Sequence, residues 1–405
     1  MKTAAAATSP NGAHHVLEDI LRKPWMRTPL RWMTASDENG TCLFERICEN
    51  YENARLPWPE RLIWSVPSGL INLGLSRVGL DKEMMKKELF RHHPTVRALS
   101  LTARSIAGYG LTTPQRFAAP LVVVWNITQA CNLCCKHCYQ DAGPRPADDE
   151  LTLAEKIRLV DEMAAEGVPF LAIAGGEPLV CNDLWPVLDH ASRRGIHLSI
   201  ATNGTLLTPA TVHRLIASGV KYTEVSVDSL NPEEHDVFRG APGAWARSID
   251  GVKNCVAAGM HTGFAMCFTG QTVDQVDDAV RFAIALGCAT FSHFDFIPAG
   301  RGNDIIDCDL TPEQRERLMQ KLTEVLQEGR INVISTAPQF AGSCIPYWPP
   351  EGIFATGHVG NRLGTKTMVL SRYIGGCGAG RYYCAIQPNG DVTPCVYPGF
   401  VLGRG

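Results

Sequence analysis

The sequence predicts an α/β fold built around a partial, TIM-like (βα)6 barrel, with a mostly helical region before it and a small cysteine-rich module after it. Beyond residue 120, short β-branched runs alternate with amphipathic segments every ~25–30 residues, as in parallel βαβ units. Apolar residues make up 45% of the 405 residues, which allows a large buried core. From residue 341 the chain becomes rich in glycine, proline, cysteine and aromatic residues. We therefore expect domains at 1–118, 119–335 and 336–405.

The first domain is predicted to be mostly helical, in segments such as "EMMKKELFRHH" and "TVRALSLTARSIAGYG". No catalytic motif stands out in it. Cys42 and Cys48 have no partner at metal-ligand spacing, so we interpret them as ordinary thiols.

The barrel strands follow in order. The first four and the sixth end in a cysteine-rich, polar or glycine-rich motif, whereas the fifth, "HTGFAMCFT", offers no polar contact that we can assign. Functional groups of such barrels lie where strands end, so these motifs are the candidate site. The strands are "PLVVVWNI" before a cysteine loop, "PFLAIAGGEP", "HLSIATNG", "YTEVSVDS", "HTGFAMCFT" and "TFSHFDFIPAGRG", with "INVIST" as a further strand. The helices between them are "LTLAEKIRLVDEMAAEG", "LWPVLDHASRRG", "TPATVHRLIASG", "WARSIDGVKNCVAAG", "VDQVDDAVRFAIALG" and "TPEQRERLMQKLTEVLQEG".

Net charge and cysteine content restrict the partners, the compartment and the kinds of site that we expect for this chain. A formal net charge of −3 gives no reason to expect nucleic acid or an anionic membrane as a partner. The sequence shows no signal peptide and no apolar run long enough to form a transmembrane segment. Fifteen cysteines in such a chain are expected to stay reduced in the cytoplasm, where clustered cysteines indicate metal or catalytic sites.

The segment "QACNLCCKHCYQD" places Cys131, Cys135 and Cys138 at the spacing C-x3-C-x2-C. Structural zinc and [4Fe–4S] clusters usually take four protein ligands, so three cysteines leave one position open. Cys134 adjoins Cys135 and is expected to point elsewhere. His137 is a possible fourth ligand for zinc, so a zinc-stapled binding protein without catalysis stays open as an alternative.

The cysteine spacing, followed in order by "GGEP", "ATNG", "SVDS" and "FRG", resembles the radical S-adenosylmethionine (radical SAM) enzymes over about residues 120–335. The resemblance implies a [4Fe–4S] cluster on Cys131, Cys135 and Cys138, with SAM on the open iron. It also implies a one-electron reductant such as a flavodoxin or ferredoxin, and a 5′-deoxyadenosyl radical that abstracts hydrogen from substrate.

The same resemblance implies SAM-binding residues near the strand ends. Arg239 is expected to pair with the SAM carboxylate, with a surface salt bridge as its alternative. Ser226 and Asp228 lie two apart on a strand and are expected to share a face. An ordinary Asn-Gly turn is the alternative for Asn203. The implied set is Gly175, Gly176, Glu177, Pro178, Asn203, Ser226, Asp228 and Arg239.

The C-terminal segment "GCGAGRYYCAIQPNGDVTPCVYP" resembles the start of the SPASM or twitch extension of radical SAM enzymes. It predicts a β-hairpin around an Asn-Gly turn. The resemblance implies that Cys377 and Cys395 begin an auxiliary iron–sulfur cluster, to which Cys384 or Cys344 could contribute. Because the chain ends soon after Cys395, we expect either a truncated chain or a short variant.

The SPASM-like extension implies a peptide or protein substrate as the leading prediction. Modification of a haem-type tetrapyrrole or a lipid is the alternative, because the "PLVVVWNIT" lead-in also resembles the tetrapyrrole enzymes. The N-terminal helices do not resemble a winged peptide-recognition domain, which weighs against a peptide.

Overall fold

The computed structural model describes residues 18–19, 21–36, 42–50, 93–344, 354–356, 359–361, 373, 375–397 and 399–404. The helix predicted in "EMMKKELFRHH" lies almost wholly outside these residues. Contacts divide the chain into two compact units, one formed by 1–121 with 165–169 and the other by 122–164 with 170–405. The division into three domains stays a prediction.

The described part of the first unit is helical. Helix α1 spans Arg27–Thr34, α2 spans Leu43–Asn50 and α3 spans His93–Tyr109. Arg27 and Arg31 of α1 donate from Nε to the backbone oxygen of Ala107, at 3.1 and 3.2 Å. These bonds satisfy a carbonyl of the last turn of α3, which has no partner inside its own helix.

The two cysteines of this unit are buried, and Cys42 lies 3.0 Å from the Ser100 hydroxyl. This agrees with their interpretation as ordinary thiols.

Seven parallel strands form the centre of the second unit, in the same order as in the chain. The six predicted barrel strands and the added "INVIST" strand are confirmed. They are β1 (Val122–Asn126), β2 (Phe170–Ala174), β3 (His197–Thr202), β4 (Val220–Ser226), β5 (His261–Cys267), β6 (Thr290–Phe294) and β7 (Asn332–Ser335).

Helices follow the strands where the sequence predicts them. Thr208, Asn231 and Thr311 cap three of them, each before a proline in the first turn, and Thr311 forms a capping box with Gln314. The helices of this unit are α4 (Leu153–Ala165), α5 (Leu184–Arg193), α6 (Pro209–Ala217), α7 (Pro232–Arg239), α8 (Ala244–Ala257), α9 (Val276–Ala285), α10 (Pro312–Glu328) and α11 (Phe340–Cys344).

The two faces of the sheet differ in composition. The helix-covered face carries large apolar side chains such as Trp125, Leu171 and Ile200, all at most 1% exposed. The opposite face, here called the interior face, carries mostly small or polar side chains, several of them half-buried; Phe170, Phe294 and Ile334 are its large apolar members. Short side chains on this face leave open space inside the barrel, which large side chains would occupy. Strand register places on it Val124, Ala172, Ser199, Ala201, Tyr222, Glu224, Ser226, Gly263, Ala265, Thr290 and Ser292.

The C-terminal segment extends this sheet. Strand β10 (Tyr383–Ile386) pairs in parallel with β1, and β11 (Asp391–Thr393) pairs antiparallel with β10. The predicted hairpin is therefore confirmed, with Gly390 at φ 87° in its turn. Strands β8 (Phe354–Thr356), β9 (Val359–Asn361) and β12 (Gly403–Arg404) complete the sheet, with β9 on β7 and β12 on β11.

Among the described residues, every helix is too short or too polar to cross a bilayer.

Candidate active site

The predicted site is built on residues 127–143, the cysteine loop, which leaves the C-terminal end of β1. The loop packs against the glycines that follow β2: Gly176 donates its N–H to the Thr128 oxygen at 2.8 Å, and Glu177 donates to the Ala130 oxygen at 2.8 Å. A Cβ on Gly176 would lie 2.1 Å from the Ala130 oxygen. A glycine is therefore needed here because the cysteine loop itself approaches so closely.

The three cysteines of the C-x3-C-x2-C motif share one environment. Cys135 is buried in a cluster with Leu133 and Ala244, and Cys131 and Cys138 pack against that cluster. Cys134 is exposed. The loop thus separates one thiol from the other three, as the sequence predicted.

Each of the three clustered sulfurs accepts a hydrogen bond from one N–H group. The Leu133 N–H donates to Cys131 Sγ at 3.4 Å, and the Ala142 N–H donates to Cys138 Sγ at 3.4 Å. The third sulfur, Cys135 Sγ, accepts from Arg239 Nη1 at 3.7 Å. Donors of this kind stabilise the thiolate form that binds a metal and tune an iron–sulfur centre.

Burial opposes ionisation of these thiols in the protein alone. It raises the pKa of Cys131 to about 12. It also raises the pKa of Cys135, and the Arg239 guanidinium partly offsets that increase. A bound metal would supply the positive charge that deprotonates such thiols.

Among the described residues, no three His, Cys, Asp or Glu side chains converge closely enough to hold a single metal ion. In a [4Fe–4S] cluster each cysteine binds a different iron, so its thiols are spread further apart than the ligands of one zinc ion. Three thiols, each with an N–H donor, form a donor set that fits such a cluster.

Arg239, predicted to contact SAM, forms a buried ion pair. The last residue of α7, it is 6% exposed, and its Nε lies 2.7 Å from Asp228 Oδ2. Asp228 also accepts the Cys267 N–H at 3.1 Å. Although burial alone would raise the pKa of Asp228, the guanidinium beside it brings that pKa below its ordinary value. Arg239 is therefore not part of a surface salt bridge, and the alternative interpretation is wrong.

Glu177 connects the ends of two strands. Its carboxylate is fully buried and accepts hydrogen bonds from the Thr202 hydroxyl at 2.7 Å, the Asn203 N–H at 2.8 Å and the Leu179 N–H at 3.1 Å. The Asn203 side chain in turn donates to Asn132 Oδ1 of the cysteine loop at 2.8 Å. Asn203 therefore does more than form an ordinary turn.

Exposure separates the predicted SAM residues into two groups. Gly175, Gly176 and Ser226 are half-buried and within reach of a ligand. The other five, Glu177, Pro178, Asn203, Asp228 and Arg239, are buried.

The His137 imidazole, the possible zinc ligand, stacks on Phe238 with ring centroids 4.5 Å apart and 8° between planes. Its Nε2 lies 3.4 Å from Asp228 Oδ2. Burial lowers the pKa of His137 to about 4, so the ring is neutral near pH 7.

Sequence reasoning missed Arg301, although it noted the motif "PAGRG" that contains it. Arg301 donates from Nε to the Cys135 oxygen at 2.9 Å, and from Nη1 to the Ala142 oxygen at 2.7 Å and to Asp141 at 2.8 Å. A Cβ on the preceding Gly300 would lie 2.4 Å from the Cys138 oxygen. The loop after β6 thus clamps the cysteine loop from a second side.

The C-terminal cysteines do not form a comparable group in the described structure. Cys377 is exposed, whereas Cys384 and Cys395 are half-buried. Cys384 lies on β10, and Cys395 follows β11. An auxiliary cluster on Cys377, Cys384 and Cys395 stays a prediction.

Comparison with known proteins is consistent with this site. The sequence profile of the radical SAM superfamily matches residues 125–283. An AdoMet-dependent heme synthase of Methanosarcina barkeri is 31% identical over 287 residues, which cover 71% of this chain and 79% of that protein. The mycofactocin maturase MftC of Mycolicibacterium smegmatis is 31% identical over 282 residues, covering 69% and 65%.

Among solved structures, Streptococcus suis SuiB bound to its precursor peptide SuiA aligns with a TM-score of 0.57 at 19% identity. The alignment covers 81% of this chain and 73% of SuiB. At this identity the likeness shows the fold.

Proposed function

We propose that this chain, which belongs to the radical SAM superfamily, modifies a peptide and that it does so by means of a [4Fe–4S] cluster held by Cys131, Cys135 and Cys138. Its membership of the superfamily is shown by its 31% identity to the M. barkeri enzyme, over 79% of that enzyme's length. The observation that carries the cluster assignment is the donor set. The three thiols cluster, each sulfur has an N–H donor, and Cys134 points to solvent.

A [4Fe–4S] cluster held by Cys131, Cys135 and Cys138 would supply the electron for reductive cleavage of SAM. The chain binds, orients and shields the cluster and SAM. Gly175 and Gly176 present backbone beside the cysteine loop, and Ser226 offers its hydroxyl from the half-buried end of β4. Together with Arg239, these three residues are the proposed direct contacts to SAM.

Apart from Arg239, the buried members of the site act through the residues that they hold in place. Asp228 holds the Arg239 guanidinium in place, and Arg239 in turn donates to Cys135 Sγ. Glu177 fixes the relative position of the β2 and β3 ends, and Asn203 ties that network to the cysteine loop. With Pro178 starting a short 3-10 turn behind them, these residues set where SAM lies. Arg239 is the proposed partner of the SAM carboxylate.

The interior face supports a peptide over a tetrapyrrole. Its described positions include the carboxyl of Glu224 but no lysine or arginine. Of the arginines near the strand ends, Arg301 and Arg315 are already paired with aspartates, and Arg239, beside Asp228, is the one proposed for the SAM carboxylate. Haem-type tetrapyrroles carry several carboxylates, whose burial requires cationic partners. A peptide instead brings amide and amine donors, which suit this face.

A tetrapyrrole substrate is the second candidate, because the heme synthase relative is aligned over more of its own length than the maturase. For either substrate we propose a flavodoxin or ferredoxin as the electron donor. We propose a reducing cytoplasm as the compartment, since all fifteen cysteines are free thiols.

The experiment is anaerobic reconstitution followed by counts of iron, sulfide and zinc. Wild type should bind one cluster at this site, and replacing Cys131, Cys135 and Cys138 by alanine should remove four irons per chain. Release of 5′-deoxyadenosine is then compared with no substrate, a mixed-sequence peptide library and coproporphyrin III. Stimulation by the porphyrin alone would move the assignment to the second candidate. Stoichiometric zinc without iron would reject both.

A further inference from the structure

Glu224 is an acidic residue on the interior face to which neither the cluster nor SAM assigns a role. It lies on β4, opposite Ala201 of β3 and Gly263 of β5 in the strand register. It precedes Ser226 by two residues, so it faces the same way about 6.5 Å deeper along the strand. Glu224 therefore lies below the proposed SAM contact, on the inner side of the barrel.

Two hydroxyl groups hold one oxygen of this carboxyl. Ser292 of β6 donates to Glu224 Oε2 at 2.7 Å, and the Tyr222 hydroxyl donates to the same oxygen at 3.1 Å. Gly263 makes room for this arrangement, because a Cβ there would lie 2.0 Å from the Tyr222 hydroxyl. The carboxyl is thus held in a fixed orientation by side chains from two strands.

The other oxygen is free to accept a ligand. Glu224 Oε1 receives no hydrogen bond among the described residues, yet it is not one of their buried, unpartnered atoms. The residue is half-buried, so Oε1 faces accessible space on the interior face.

No cation of the described protein compensates Glu224, since none of the ion pairs includes it. The neighbours that affect its ionisation are the two hydroxyl groups, and burial raises its pKa. A half-buried carboxyl without a charged partner is costly to keep for stability alone. Its neighbours Ala201, Gly263 and Ala265 are small and leave space beside it.

We propose that Glu224 is a substrate-binding residue that accepts, through Oε1, the N–H of an ammonium or guanidinium group of the substrate. This deepens the proposed function, on which it rests, because such groups occur on peptide N-termini and on lysine and arginine side chains. It places the nitrogen-bearing end of the substrate one side-chain layer below Ser226. Ser292 and Tyr222 are positioning residues for this contact.

The test uses the reconstituted protein and three probes: n-butylammonium, n-butylguanidinium and tetramethylammonium. The third carries charge but no N–H. Binding is followed by calorimetry. The first two probes distinguish the two nitrogen groups. We expect one of them to bind and tetramethylammonium not to bind.

Glu224→Gln should weaken binding of the active probe at least tenfold, or about 1.4 kcal/mol, while Glu316→Gln at an exposed position of α10 should leave it unchanged. Glu224→Asp keeps the charge but withdraws it by one methylene, and should also weaken binding. This second variant decides the matter if Glu224→Gln fails to fold. Equal binding by wild type and either Glu224 variant, or no binding by wild type, would overturn the assignment.

The probe readout also separates this inference from the proposed function. A protein that binds the probe through Glu224 but carries no iron would contradict only the cluster. A protein that cleaves SAM normally but ignores the probe would contradict only the role of Glu224.

Discussion

Gly176→Ala is the sharpest test of how the cysteine loop is held. The backbone of Gly176 does not adopt a positive φ, so alanine is permitted there and only its methyl group matters. That methyl would lie 2.1 Å from the Ala130 oxygen and 2.8 Å from the Gln129 oxygen. Both are backbone atoms, which cannot rotate away as a side chain can.

The expected cost follows from these distances. Ordinary contact requires ~3.5 Å, so the cysteine loop must retreat by about 1 Å or more. Overpacking of this kind costs about 1–3 kcal/mol. The retreat also weakens the bonds from Gly176 to Thr128 and from Glu177 to Ala130, each worth about 1 kcal/mol. We expect a total loss of about 2–4 kcal/mol in the free energy of unfolding.

Gly143→Ala is the matched control, because it lies in the same loop and a Cβ there meets nothing within 4 Å. Its effect should stay within about 0.5 kcal/mol. The assay is urea unfolding under anaerobic conditions, with iron counted after reconstitution. Gly176→Ala should have the lower midpoint and retain less iron than Gly143→Ala. Equal midpoints and equal iron would refute the argument that loop contact requires this glycine.

Two further predictions concern the loop cysteines and the buried ion pair. Cys134→Ala should keep the iron content and SAM cleavage of wild type, because Cys134 is exposed, whereas Cys135→Ala should abolish both. Equal loss in the two variants would show that the wrong cysteines of the loop have been assigned as ligands. Arg239→Ala should destabilise the protein by about 3–5 kcal/mol in urea unfolding, because it leaves the buried Asp228 charge unpaired. Adding Asp228→Asn should restore part of that stability but not SAM affinity, measured by titration at matched iron content. Recovery of SAM affinity in the double variant would contradict a direct role for the guanidinium.

The sequence predicted the features that depend on local order along the chain. Strand–helix alternation follows from hydrophobic periodicity, so the seven strands and their parallel order were predictable. The environment of Cys134 was also predictable, since adjacent side chains of a tight loop diverge. The hairpin around Gly390 followed from its Asn-Gly turn.

Features that depend on contacts across the barrel were not predictable in this way. The glycines after β2 were assigned to SAM, yet Gly176 also admits the cysteine loop. Arg239 was expected to be free for a ligand, but it pairs with an aspartate from the end of another strand. The roles of Arg301 and Glu224 depend on partners far away in the chain, and only the arrangement of the strands brings these partners close.

The clamp by Arg301 has a consequence for the order of events during synthesis. Arg301 lies 166 residues after Cys135, whose backbone oxygen it holds. At ~5–20 residues per second, a ribosome needs roughly ten to thirty seconds to make that interval. Throughout that time the thiols of the nascent chain lack the contact that shapes their loop. We therefore expect the proposed cluster to be inserted only after the sixth strand and the loop that follows it are complete, and the cysteine thiols to need protection from oxidation until then.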